Sequence, residues 1–138
     1  MINQIHFSSD TVEWYTPQDF FERLNKIYRF TLDPCSDSTN FKCEKHYTKK
    51  EDGLLQSWTG EIVFMNPPYG REIGAWVKKA ALEKAYTVAL LPARVDTKWF
   101  HNYIEGKYLY KFIRGRLKFG GSYSSAPFPS MIVLFDNL

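Results

Sequence analysis

EIVFMNPPYG, residues 61–70, decides how this chain is read. The apolar residues Ile62 to Met65 follow one another without helical spacing and suit a strand buried in a sheet. The run halts at Asn66. Pro67 biases Asn66 to extended backbone, while Pro67 and Pro68 lack amide hydrogens and hold φ at about −65°. The segment is therefore stiff, and its carbonyls and the Asn66 side-chain oxygen can face outward as fixed acceptors. Such acceptors suit an exocyclic amine, whose delocalised lone pair makes it a poor nucleophile. Accepting its N–H bonds pushes the nitrogen toward tetrahedral geometry and aims the lone pair at an electrophile. Tyr69 adds a flat face on which a planar base can stack. The chemistry implied is alkyl transfer to nitrogen by positioning and electrostatics, with no strong base. The plain alternative is a Pro-Pro strand terminator with a tyrosine at its rim.

Outward from this stretch, helical and extended patterns alternate. YTPQDFFERLNKIY (15–28) predicts a helix with Thr16 as N-cap, Pro17 in the first helical position and Asp19 in the first turn. RFTLDP predicts a short strand ended by Pro34, followed by a long polar loop over 34–53 of the kind that more often serves a function. EIGAWVKKAALEKA places Ile73, Trp76, Val77, Ala80 and Ala81 on one helical face. TVALLP reads as a strand buried on both faces, and DTKWFHNYIEG as a short helix with Asp96 as N-cap and Gly106 as its stop. KYLYKFIRGRLKFGG and PSMIVLFD predict two or three strands. The sum is an α/β fold in a single domain over residues 1–138. Its sheet is expected to be mostly parallel with a late antiparallel hairpin, its helices on both faces, and residues 1–13 a loose arm. Ligands of such sheets bind beyond the carboxyl ends of the strands, which puts Asp33, Asn66 and Pro92 to Arg94 at one rim.

Composition sets limits. The chain of 138 residues is 44% apolar and carries a net charge of +3, enough for one core and weakly favourable to an anionic partner. No apolar run approaches the ~20 residues of a membrane helix, so a soluble, cytoplasmic protein is expected, with no membrane partner. Cys35, Cys43 and His46 fall in one segment but lack the paired spacing of a four-ligand zinc site, so no metal is expected. Aromatic residues make up 17% of the chain, more than such a core requires, which leaves some of them to face a ligand.

NPPY after a buried strand resembles the catalytic motif of amino-group methyltransferases that use S-adenosylmethionine. The chain is similar to the phage-type DNA N-6-adenine methyltransferases across EWYTP (13–17), LDPCSD (32–37), KKEDGLLQSW (49–58), VFMNPPYG (63–70), LLPARVDTKWF (90–100), GRLKFGG (115–121) and APFPSMIVLF (126–135). The resemblance implies a trimmed Rossmann-like methyltransferase sheet, S-adenosylmethionine as cofactor and DNA as partner, in a bacterial host or encoded by a phage. It implies that Asn66, Pro67, Pro68 and Tyr69 hold the target adenine. It also implies that Thr16 and Pro17 touch the methionine end of the cofactor, that Asp33 and Pro34, closing the first strand, are cofactor-binding, and that Asp52 lies near the cofactor's adenine or ribose. The glycine-rich loop usual after the first strand is replaced by Cys35, Ser36 and Asp37.

For holding DNA, Arg114, Arg116 and Lys118 alternate and would share one face of a strand, suiting either a phosphate backbone or a blunted sheet edge. Arg94, Lys98 and Trp99 lie nearer the rim and are candidates for contacts around the reacting base. Trp99 serves equally as an anchor for its own helix. An adenine within a duplex would have to be flipped out to reach a recessed pocket, with sequence preference left to the loops at 34–53 and 119–128. Two other readings stay open: N-methylation of RNA adenine or protein glutamine, and a non-catalytic nucleic-acid-binding module on a decayed methyltransferase scaffold.

Overall fold

The computed structural model describes residues 14–120 and 125–138. The expected arm over 1–13 and the tip of the 119–128 loop lie outside the described residues. Helix α1 runs Gln18–Tyr28, strand β1 Ile62–Met65, helix α2 Ile73–Leu82, strand β2 Tyr86–Pro92, helix α3 Lys98–Tyr103, strand β3 Leu109–Phe112 and strand β4 Ser130–Asp136. The strands form one sheet in the order β1-β2-β4-β3. β1 pairs with β2 in parallel, and β4 pairs antiparallel with both β2 and β3.

The sheet is thus mixed rather than mostly parallel. β1, β2 and β3 all point one way, as expected of strands joined through helices. β4 returns in the opposite direction and wedges between β2 and β3, so the pairs on both its sides are antiparallel. The expected late hairpin is present as β3 and β4. RFTLDP contributes a rudiment of a strand: Leu32 bridges Val63 in parallel and Asp33 bridges His46. Its approach is bent by Arg29 at φ 55°, the left-handed C-cap of α1.

Pairing register sorts the faces, because partners across a sheet share a side and neighbours along a strand alternate. Phe64 and Tyr86 face α1, with ring centroids 5.1 Å from Phe21 and 5.8 Å from Tyr28 respectively. On the opposite face Phe135 packs against Tyr108, whose hydroxyl donates to the carbonyl of Ala81 in α2 at 3.0 Å. Tyr110 on that side meets Phe100 of α3 at 5.2 Å. Between these layers β2 is buried from Thr87 through Pro92, matching its unbroken apolar run.

Two caps sit one residue from their expected places. Pro17 occupies the cap of α1 with non-helical backbone (φ −57°, ψ 133°), and its carbonyl accepts from Phe21, so Thr16 is not the N-cap. Thr97 rather than Asp96 caps α3, its side chain accepting from the amide of Phe100 at 3.3 Å. β3 stops at Phe112, and Gly115 turns the chain at φ 76°. Arg114, Arg116 and Lys118 therefore do not alternate along a strand, although all three are exposed.

Candidate active site

Parallel pairing of Leu32 with β1 and of β1 with β2 brings Asp33, Asn66 and Pro92 to Arg94 out at the same edge of the sheet. A cleft of about 330 Å³ opens there, lined among others by Thr16, Asp33, Pro34, Asp52, Asn66, Pro67 and Pro68. It gathers residues far apart in sequence because the sheet edge collects what the strands deliver.

Asn66 is the pivot. Its Nδ2 donates to the carbonyl of Trp14 at 2.5 Å and to Thr16 Oγ1 at 2.9 Å. Its Oδ1 is buried and accepts no hydrogen bond among the described residues. An unsatisfied buried acceptor costs about 1–3 kcal/mol, so a donor brought to Asn66 Oδ1 would be favoured there.

Tyr69 lies behind this position. It is buried, with its ring edge-on to Phe128 at 5.6 Å and Phe119 at 6.2 Å. Its hydroxyl donates to the carbonyl of Leu90 at 2.9 Å, and burial pushes the phenol well above its ordinary value, so it remains a donor. Tyr69 does not line the cleft, whereas Phe128, half-buried beside it, carries the Arg94 guanidinium 5.9 Å above its ring.

Asp33 occupies the floor at 4% exposure. Its carboxylate accepts from the amides of Cys35 at 3.1 Å and Lys42 at 2.9 Å, tying the start of the 34–53 loop to its middle. Burial raises its carboxyl above the ordinary value, and the Lys42 and Cys35 amides and the His46 and Lys42 charges pull it part of the way back. Asp52 holds the left-handed backbone (φ 59°) and accepts from the Leu54 amide at 3.1 Å. Behind it, Gly53 is the one residue type that fits: a Cβ there would stand 2.2 Å from the Pro34 carbonyl oxygen and 2.9 Å from the Trp76 ring. Trp58 seals this corner by donating from Nε1 to the Gly53 carbonyl at 3.0 Å. Trp76 lines the cleft with its own Nε1 buried and unpartnered among the described residues.

Of the other sequence candidates, Pro17 does not line the cleft. Trp99 is buried against Gly74 of α2, while Arg94 and Lys98 are exposed at the turn after β2. Arg116 donates to the Ala126 carbonyl at 3.3 Å. Cys35 and Cys43 are unpaired thiols. No helix among the described residues is long and apolar enough to cross a membrane. Sequence reasoning missed Trp14, Gly53 and Trp76. The Asp-Gly pair at 52–53 signals a tight turn and was open to reading. Trp76 sits on a helical stripe and reads as core, and a backbone carbonyl such as that of Trp14 leaves no trace in sequence.

Among the described residues carboxylates outnumber ammonium groups around the cleft, with Asp33, Asp37, Asp52 and Glu72 set against Lys42 and Lys49. The Dam family of DNA N-6-adenine-methyltransferases matches residues 6–138. The chain is also 27% identical over 139 aligned positions to the DNA N-6-adenine-methyltransferase of Haemophilus phage HP1 (strain HP1c1), covering 93% of this chain and 80% of the relative. An Asn-Pro-Pro-Tyr segment at the end of a buried strand, set at the cleft, and a family match across nearly the whole length lead to one assignment: the chain belongs to the DNA N-6-adenine-methyltransferase family.

Proposed function

We propose that this protein methylates the N6 amino group of adenine in DNA, with S-adenosylmethionine as donor. One observation carries the reading: among the described residues the buried Asn66 Oδ1 has no donor while its amide nitrogen is held twice. An adenine N6–H donates to that oxygen, and a carbonyl of the rigid Pro67-Pro68 segment, which lines the same cleft, takes the second hydrogen in this reading. Drawing on both N–H bonds removes the lone pair from the purine ring and aims it outward.

The cleft fits the cofactor on two grounds. Its excess of carboxylates suits a sulfonium cation, and Trp76 Nε1, unpartnered among the described residues, offers a donor to a heterocycle or ribose. Thr16, Asp33, Pro34 and Asp52 would hold it, with Pro17 at the entry to α1 and Gly53 giving the backbone clearance that a glycine-rich loop gives elsewhere. The bound cofactor supplies an electrophilic methyl group. The chain's own residues orient the amine, exclude water and stabilise charge, and no buried base is needed because the nitrogen loses its proton after transfer. Tyr69 braces the Asn-Pro-Pro segment through Leu90. Arg94 and Lys98, with Arg114, Arg116 and Lys118 farther along the chain, are the cations for phosphates. Trp99 supports that turn from the core.

Methyl-labelled cofactor offered side by side with unmethylated DNA, RNA and protein tests the reading, followed by mass spectrometry of the modified nucleoside. N6-methyladenine in DNA is expected. Label in RNA adenine or glutamine overturns the acceptor, and no cofactor binding at millimolar concentration favours the non-catalytic module. Asn66→Ala should lower turnover by ~10²-fold or more with cofactor affinity nearly unchanged.

A further inference from the structure

A side-chain amide is nearly symmetric in shape, so Asn66 can present either Oδ1 or Nδ2 to the cleft. The two are opposite in function, since a flipped amide would set a donor against an incoming amine. From the hydrogen bonds around it, and resting on the reaction proposed above, we infer that Thr16, together with the Trp14 carbonyl, is a positioning residue that fixes the handedness of the Asn66 amide. It thereby makes the segment before α1 part of the methyl-transfer apparatus.

The Trp14 carbonyl breaks the symmetry. It accepts only, and a flipped Asn66 would bring two carbonyl oxygens together where the structure has a 2.5 Å hydrogen bond. Thr16 Oγ1 takes the other N–H at 2.9 Å, leaving neither Nδ2 hydrogen free to face the cleft. Trp14 is 7% and Thr16 5% exposed, so both acceptors are held largely out of bulk solvent. Thr16 is not engaged in capping α1, whose cap is Pro17 without a side-chain bond, so its hydroxyl is available for this work. The pairing joins residues 50 positions apart in sequence and ties the entry of one helix to the tip of a strand.

Thr16→Val keeps the shape and removes the acceptor, Thr16→Ala removes it with less bulk, and Thr16→Ser restores it. Two readouts apply. In the protein without cofactor, nitrogen-labelled NMR should show the Asn66 side-chain amide, identified by its loss in Asn66→Ala, with both protons shifted by hydrogen bonding. One of them should move upfield in Thr16→Val or Thr16→Ala and return in Thr16→Ser. In turnover, kcat at saturating cofactor should fall at least ~10-fold in the hydroxyl-less variants and stay within ~3-fold of wild type in Thr16→Ser. A Thr16 that merely binds cofactor would raise KM and leave kcat and the apo amide resonance alone, and that result overturns the inference. So does a folded Thr16→Ser that loses as much kcat as Thr16→Ala. Wild-type protein that forms no N6-methyladenine overturns the parent reading and this one with it. Wild-type activity with an unchanged kcat in Thr16→Val sinks this one alone.

Discussion

Asp33 and Asp37 line the same cleft, yet their surroundings move them in opposite directions. Burial dominates at Asp33 and leaves its carboxyl above the ordinary 3.8. At Asp37 burial also pushes upward, but the Thr39 amide, the Tyr15 hydroxyl, the Asn40 amide and the Thr39 hydroxyl outweigh it and leave the group below 3.8. The linkage signs follow. A raised Asp33 contributes stability that is fully present below pH 3.8 and lost as pH rises through its folded value. A lowered Asp37 contributes stability present above pH 3.8 and lost as pH falls through its folded value. Urea midpoints of Asp33→Asn and Asp37→Asn across the acid range should therefore diverge. The Asp33→Asn deficit should shrink as pH rises above 3.8, while the Asp37→Asn deficit should shrink as pH falls below it. Deficits that track one another would show that the two carboxyls share one environment. At Gly53 the expectation is simpler: Gly53→Ala drives a Cβ into the Pro34 carbonyl and should lower stability by about 1–3 kcal/mol, read by chemical denaturation.

The elements held by strong periodicity were legible: α2, β2 and β4 fall within a residue or two of their apolar patterns, and β1 ends where Asn66 begins. Their boundaries were less so, because a cap depends on backbone angles that neighbouring residues can trade. Thr97 and Asp96 are both good capping residues by type, and only the bond to Phe100 separates them. Thr97→Ala should cost about 1 kcal/mol in a denaturant titration, and Asp96→Ala far less. α1 is held mainly by the ring cluster of Phe21, Phe30 and Phe64, with centroids 5.1 to 5.6 Å apart. Truncating the buried Phe21 to alanine should destabilise the protein by about 3–5 kcal/mol and, by loosening α1, slacken Thr16 with it.

At the scale of the whole molecule, the direction of each strand was readable and its neighbours were not. Helices between β1, β2 and β3 imply a shared direction, which they have, but no local pattern announces that β4 will insert between β2 and β3. The rim that holds Asp33, Asn66 and Arg94 was nevertheless placed correctly, since it depends on direction alone. The cations are a different matter. Gly115 breaks the alternation that would have lined up Arg114, Arg116 and Lys118, so the proposal that they contact DNA rests on exposure and not on a strand face. Replacing all three with alanine should weaken DNA binding uniformly across sequences and flatten its salt dependence by about one slope unit for each lost phosphate contact. A binding isotherm series against ionic strength reads this directly, and an unchanged slope would remove them from the interface.

β1 finishes its pairing at Met65 opposite Ala89, while β2 runs on through Leu90 and Leu91 to Pro92. On that overhang Tyr69 moors its hydroxyl to Leu90. A peptide that a shorter neighbour would leave swinging is thus berthed before any nucleic acid arrives. The entropy of stilling it has already been met during folding, and each encounter with DNA starts from a docked receptor.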